Sequence, residues 1–150
     1  MVTSRYGMEI RAATPAEAPG LATLLATNGH AIDPQVLADR LAALRQAPAT
    51  ALVALQWGPP SGLVVLHWYP ALHAPRPIAQ ITMLLVNEDE RRRGIGRLLI
   101  KAAAQAARLA GCGELEVMAP AGAASLHEFC RATGFAEAGP RFIRALRRQG

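Results

Sequence analysis

The spacing of apolar residues changes several times along the chain, and each change marks an element. Residues 8–13 alternate and predict a short first strand. Thr14-Pro15-Ala16-Glu17 reads as a capping box with proline at the first helical position. Leu21, Leu24 and Leu25 carry the helix that follows, and Asn28-Gly29 stops it. Asp33-Pro34 opens a second helix with Leu37, Leu41 and Leu44 on one stripe. Residues 51–57 and 63–69 predict two strands around the turn at 58–62. The link 70–77 holds three prolines and predicts no regular structure. Residues 78–86 form a long apolar strand of central character. From Ile95 the period becomes helical: Leu98, Leu99, Ala102, Ala106 and Leu109 share one face, and Arg97, Lys101, Gln105 and Arg108 the other. Gly111 ends this helix. A strand at 114–118, a helix at 123–133 closed by Gly134, and an alternating strand at 142–146 complete the chain.

The order β-α-α-β-β-β-α-β-α-β predicts a mixed α/β sheet with helices on both faces. A chain of 150 residues, 51% apolar, suits one domain spanning 1–150 with a sizeable core. No apolar run reaches the roughly 18 residues of a membrane helix. The N-terminal residues lack the apolar centre of a signal peptide, so we expect a cytoplasmic protein with no membrane partner. Cys112 and Cys130 make no disulfide framework. The four histidines are scattered, and no ligand-spaced cluster predicts a metal. The net charge of +5 favours a polyanionic partner, either a nucleotide-derived cofactor or a nucleic acid. Interleaved aromatics and a reading helix are missing, which argues against nucleic acid.

The chemistry concentrates between the long strand and the helix at Ile95. Arg91, Gly94 and Gly96 fit R-x-x-G-x-G. A Walker A loop needs a Lys-Ser/Thr pair that is missing here. A dinucleotide fingerprint needs a third glycine where Leu99 stands. The bland alternative is a strand-to-helix turn with surface arginines, but opening a helix with two glycines costs about 1 kcal/mol each. Free N–H groups at a helix start and flanking arginines suit a pyrophosphate.

With this motif after a buried strand, and Phe129 to Gly134-Phe135 some way on, the chain resembles the GNAT superfamily of acyl-CoA-dependent N-acetyltransferases. The likeness in element order runs from Met8 to about Leu146. It implies a mostly antiparallel α/β sheet of six to seven strands, splayed in the middle and flanked by about four helices. It implies acetyl-CoA as cosubstrate and no metal. Leu84, Leu85 and Val86 would pair their backbone with the pantetheine arm. Arg91, Arg92, Arg93, Gly94, Ile95, Gly96 and Arg97 would hold the pyrophosphate. The sheet would open between the strands at 78–86 and 114–118, and the helix from Ala123 would flank the cofactor.

The chain departs from the family at three places. Ala123 replaces a frequent Asn, Cys130 a frequent Tyr, and Gln80 the Glu of some members. Cys130 is then either a weak acid for the leaving thiolate or a small core residue. Gln80 and Thr82 alternate onto one face, where they either orient an acceptor or a water or are simply buried. His67, Tyr69 and His73 are candidate bases, or ordinary structural and solvated groups. The expected function is acetyl transfer from acetyl-CoA to a primary amine of a small molecule or peptide, by direct attack in a ternary complex. The alternative is a weak or inactive acyl-CoA-binding sensory module. A homodimer is compatible with the family, and the basic rim favours an acceptor that is not strongly cationic.

Overall fold

The computed structural model describes residues 2–3, 7–88, 94–120, 122–139 and 141–147. The chain falls into two compact units, 1–118 and 119–150. The first holds β1 (Val2–Thr3), β2 (Glu9–Ala12), α1 (Ala18–Thr27), α2 (Pro34–Leu44), β3 (Ala49–Leu55), β4 (Gly62–Tyr69), β5 (Ile78–Val86), α3 (Ile95–Leu109) and β6 (Glu114–Val117). The second holds α4 (Ala124–Ala132). Among the described residues no helix is long and apolar enough to cross a membrane.

The six strands lie side by side in chain order. β1 is a two-residue bridge to Ile10 and Glu9, so five strands make up the body of the sheet. All neighbours are antiparallel except β5 and β6, which are parallel and joined through α3. A parallel pair needs such a crossover, which carries the chain across one face of the sheet.

Local chemistry sets the elements before α1. The Glu17 carboxylate accepts from the Thr14 backbone N–H (2.8 Å) and the Thr14 hydroxyl (3.0 Å). Arg11 on β2 donates to both of its oxygens, at 2.9 and 3.1 Å. One carboxylate thus ties a strand end to the 3₁₀ turn Pro15–Glu17 that leads into α1. At α2, the Asp33 side chain accepts from the N–H groups of Gln35 (2.9 Å) and Val36 (3.2 Å), satisfying two donors the helix cannot.

Both sheet faces are covered. On one, Leu21 and Leu25 of α1 with Leu37 and Leu41 of α2 pack on Ala51, Val53 and Leu63. On the other, α3 buries Ile95, Leu99, Ala103 and Ala107, four residues apart. Gly62 makes its close approach possible: a Cβ there would meet Leu99 Cδ1 at 2.9 Å, the Leu85 carbonyl oxygen at 3.0 Å and Ile95 Cγ2 at 3.1 Å.

Two expectations from the sequence are corrected. Leu109 is 83% exposed, because the buried stripe of α3 runs through Ile95, Leu99, Ala103 and Ala107 and turns Leu109 outward. Residues 141–147 form no strand, and Phe142, Ile143 and Leu146 are exposed. The segment carries apolar residues, but a strand also needs a partner, and residues 141–147 pair with none of the described strands. Among the described residues the sheet has six strands, the first of them minimal.

Two outcomes follow from these contacts. The hydrogen bonds from Arg11, chiefly, hold the Glu17 carboxyl below its ordinary pKa. Its contribution is therefore present above the unfolded value of about 4.3 and is lost as pH falls through the lower folded value. Glu17→Gln should cost on the order of 1–2 kcal/mol in urea unfolding at pH 7. The gap to the wild type should close toward pH 3, and a gap that stayed constant would remove the ion pair from the account. Gly62→Ala should lower stability by about 1–3 kcal/mol through overpacking against α3. An unchanged urea midpoint would show that the seat is loose.

Candidate active site

The β5–β6 ladder is short. β6 pairs only with Ile78 to Ile81, and the Met118 N–H donates to the Ile81 carbonyl at 3.2 Å as the chain departs. From Thr82 to Val86, β5 has a ladder partner among the described strands in β4 alone. This is the opening expected between the strands at 78–86 and 114–118.

Backbone direction along the free edge follows from one bond. The Asn87 N–H donates to the Ser61 carbonyl at 2.7 Å and so faces the β4 side. Residues of a strand face alternate neighbours, so Leu85 and Met83 also turn their N–H and C=O toward β4. Leu84 and Val86 turn theirs to the open edge. Leu85, between them, turns its N–H and C=O to β4.

A bulge separates this edge from the sheet's other chemistry. Val65 pairs with Met83 and Leu66 with Ile81, leaving Thr82 as the extra residue. The faces of β5 on either side of it are therefore out of phase. Gln80 shares a face with Met83, not with Thr82 and Leu84. The expected alternation of Gln80 and Thr82 onto one face is corrected by this insertion.

The helix start lies next along the chain. Gly94 adopts φ +78° and ψ 10° as N-cap of α3, with no side-chain cap, and no atom lies within 4 Å of where its Cβ would be. The left-handed backbone, and not crowding, is what asks for glycine there. The first bond of the helix runs from the Leu98 N–H to the Gly94 carbonyl at 3.1 Å. The N–H groups of Ile95, Gly96 and Arg97 thus have no partner within the helix. Ile95 is buried and fixes the turn, whereas Arg97 is exposed. Arg91, Arg92 and Arg93 lie outside the described residues.

The candidate catalytic side chains separate into two groups. His67 and Gln80 are direct cross-strand partners, and Gln80 in turn pairs with Glu116. His67, Gln80 and Glu116 therefore form one row across three strands, on the face that α1 and α2 cover nearer the sheet centre. Glu116 was not singled out by any motif, since only the register after the α3 crossover brings it beside Gln80. Tyr69 stands two residues beyond His67, opposite Ile78 and Glu114. Burial first, then the charges of Glu116 and Glu114, push its hydroxyl above the ordinary tyrosine range. Tyr69 therefore stays protonated at neutral pH and does not serve as a base.

Cys130 belongs to the other unit. It is half-buried in the last turn of α4, where its carbonyl accepts from the Phe135 N–H at 2.9 Å. Burial pushes its thiol upward, and Arg131 offsets this in part. Ala123, the N-cap of α4, makes no side-chain cap. His127, on the same helix, is bonded through Nε2 to the Pro120 carbonyl at 2.8 Å. Among the described residues no group of three or more His, Cys, Asp or Glu is arranged to hold a metal ion.

Comparison with known proteins bears on this arrangement. No curated protein sequence matches the chain. Among solved structures, an acetyltransferase of Trypanosoma brucei superposes with a TM-score of 0.81 at 20% identity, covering 93% of this chain and 99% of that one. An aminoglycoside N-acetyltransferase in complex with CoA gives 0.81 at 19%, covering 98% and 99%. Glucosamine-6-phosphate N-acetyltransferase from Arabidopsis thaliana gives 0.78 at 13%, covering 93% and 99%. At these identities the likeness shows the fold. The sequence model of the Acetyltransferase (GNAT) family matches residues 20–135, spanning the opened sheet, the R-x-x-G-x-G turn and α4. The chain is a member of the GNAT acetyltransferase family.

Proposed function

We propose that this acetyltransferase moves the acetyl group of acetyl-CoA to a primary amine of a small molecule or peptide, by direct attack in a ternary complex. The observation that carries this reading is β5, paired on one edge only from Thr82 to Val86 and followed closely by the uncapped start of α3.

An extended arm containing amides adds to such an edge as a further strand does. Leu84 and Val86 offer it N–H and C=O groups. The N–H groups of Ile95, Gly96 and Arg97 suit a pyrophosphate, and Arg97 with Arg91, Arg92 and Arg93 supplies matching positive charge. Acetyl-CoA supplies an activated acyl carbon and a good thiolate leaving group. The protein's part is then mainly placement, which shortens the search of two reactants for each other. His67, on the strand beside Gln80, takes the proton an attacking amine must lose. Gln80 beside it orients the acceptor or a water. Cys130, with its thiol held protonated by burial, is the proton donor to the leaving sulfur.

Acetyl-CoA at 100 times its dissociation constant should add about 2.7 kcal/mol of stability. Val86→Pro removes one edge-facing N–H and should leave the ladder with β4 standing, because proline is tolerated on a strand edge. We expect this variant to stay folded and to bind acetyl-CoA about tenfold more weakly. Leu85→Pro removes a ladder donor and should unfold the chain. Equal acetyl-CoA binding by wild type and folded Val86→Pro would overturn the edge assignment. Cys130→Ala should slow thiol release by about 10²-fold or more with acetyl-CoA affinity unchanged. Full turnover by that variant would make Cys130 a packing residue.

A further inference from the structure

We infer that Glu116 holds the ammonium group of the acceptor, seating it over Gln80 and opposite His67, and so selects cationic amines. This inference rests on the proposed reaction and adds the acceptor side of the same site.

Gln80 pairs with His67 on one side and Glu116 on the other, so the three side chains rise from one sheet face. Adjacent strands stand about 4.8 Å apart, which places the His67 and Glu116 backbones roughly 10 Å from each other with Gln80 between. An ammonium lying over Gln80 is then within side-chain reach of a carboxylate and an imidazole together. The row lies one pair before the ladder ends at Ile81 and Val117, beside the mouth of the opening. Because the Thr82 bulge shifts the phase of β5, the row and the Leu84 and Val86 side chains emerge on opposite faces.

Charge favours the same occupant. Gln80, where some relatives carry a carboxylate, is neutral and cannot offset an ammonium. Glu116 is exposed and free to turn toward the row. Glu114 on β6 stands on the same face two residues before Glu116, and Tyr69 on β4 is held neutral. Two carboxylates therefore border the row, although the chain carries +5 overall. This outweighs the basic rim, whose α3 members Arg97, Lys101 and Arg108 belong to the opposite side of the sheet. An acceptor with a phosphate beside its amine meets repulsion at Glu116 and Glu114. One with further ammonium groups does not.

The test uses the full chain with acetyl-CoA and four amines: spermidine, kanamycin, glucosamine and glucosamine 6-phosphate. We expect kcat/KM to be higher for spermidine or kanamycin than for glucosamine 6-phosphate. Glu116→Gln should raise the KM of the preferred amine about tenfold while leaving the acetyl-CoA dissociation constant within twofold. Glu116→Asp should recover most of that loss, which a purely structural role would not produce. Glu116→Lys should lower the ratio of kcat/KM for the cationic amine over glucosamine 6-phosphate, and partial unfolding cancels from a ratio. Three results would overturn the inference: an unchanged amine KM in Glu116→Gln, a wild-type preference for the phosphorylated sugar, or no turnover of any of the four amines by a protein that binds acetyl-CoA. If the wild type does not bind acetyl-CoA, the proposed function itself fails, a result separate from these three.

Discussion

From Thr82 onward, β5 is held along a single edge, and most of the molecule's design answers that constraint. A strand with one free edge leaves its outward N–H and C=O groups in need of partners. It stays extended because its remaining contacts are strong. β4 pairs with it residue by residue up to Val86. α1 and α2 pack against Met83 and Leu85 from one side, and α3 lies against the other. Gly62 lets Ile95 and Leu99 descend onto the end of β4, at the point where the Leu85 carbonyl also approaches it. The same first turn of α3, whose N–H groups at 95–97 have no partner within the helix, is thereby packed against the strand whose edge is open among the described strands. A ligand spanning both meets one rigid surface, and the entropy of arranging its two halves is settled by folding.

In the proposed reaction, the Thr82 bulge would give the two substrates different faces of one strand. Without it, Gln80, Thr82, Leu84 and Val86 would point the same way, and an acceptor near Gln80 would compete for space with whatever lies along Leu84. One inserted residue separates them. That insertion was not legible in the sequence. Residues 78–86 are mostly apolar, so period-two reasoning had no polar marker to reveal a change of phase.

What could be read was local. Thr14 with Glu17, and Asp33 before Pro34, announce helix starts through hydrogen bonds between near neighbours, and both appear in the structure. The 78–86 strand was found to the residue, because a long apolar run bounded by Pro77 and Asn87 has few alternatives. Gly94 was identified from its motif and takes the backbone conformation that explains it. What could not be read depended on distant register. Glu116 reaches Gln80 only after the fifteen-residue helix α3 returns the chain parallel to β5, and no spacing rule encodes that pairing. The segment at 142–146 misled for the converse reason: four of its five residues are apolar, but pairing is a property of two segments and not of one. Leu109 shows the same limit on a smaller scale, since its place on the helix wheel was right for a stripe slightly rotated from the one the sheet selects.

The charges of the first unit are sorted by sheet face, and this sorting bears on how a chain lacking the family's frequent acid and base can still favour amine transfer. Arg97, Lys101 and Arg108 lie along exposed positions of α3, on the side of the pyrophosphate turn. Glu114 and Glu116 project from the opposite face of β6. In the proposed reaction, an anionic donor and a cationic acceptor would each be drawn to one side and repelled from the other's place. Such sorting raises the fraction of encounters in which both are correctly seated, without any proton transfer. Ionic interactions at half-exposed sites are weak singly, about 1 kcal/mol or less, so selection by this means depends on several of them acting on the same ligand. A neutral residue at position 80 is then consistent with the proposed reaction: a carboxylate there would hold the ammonium more tightly at the point where it must lose a proton, whereas one strand away it would orient the amine and leave the attacking nitrogen to the neighbouring imidazole.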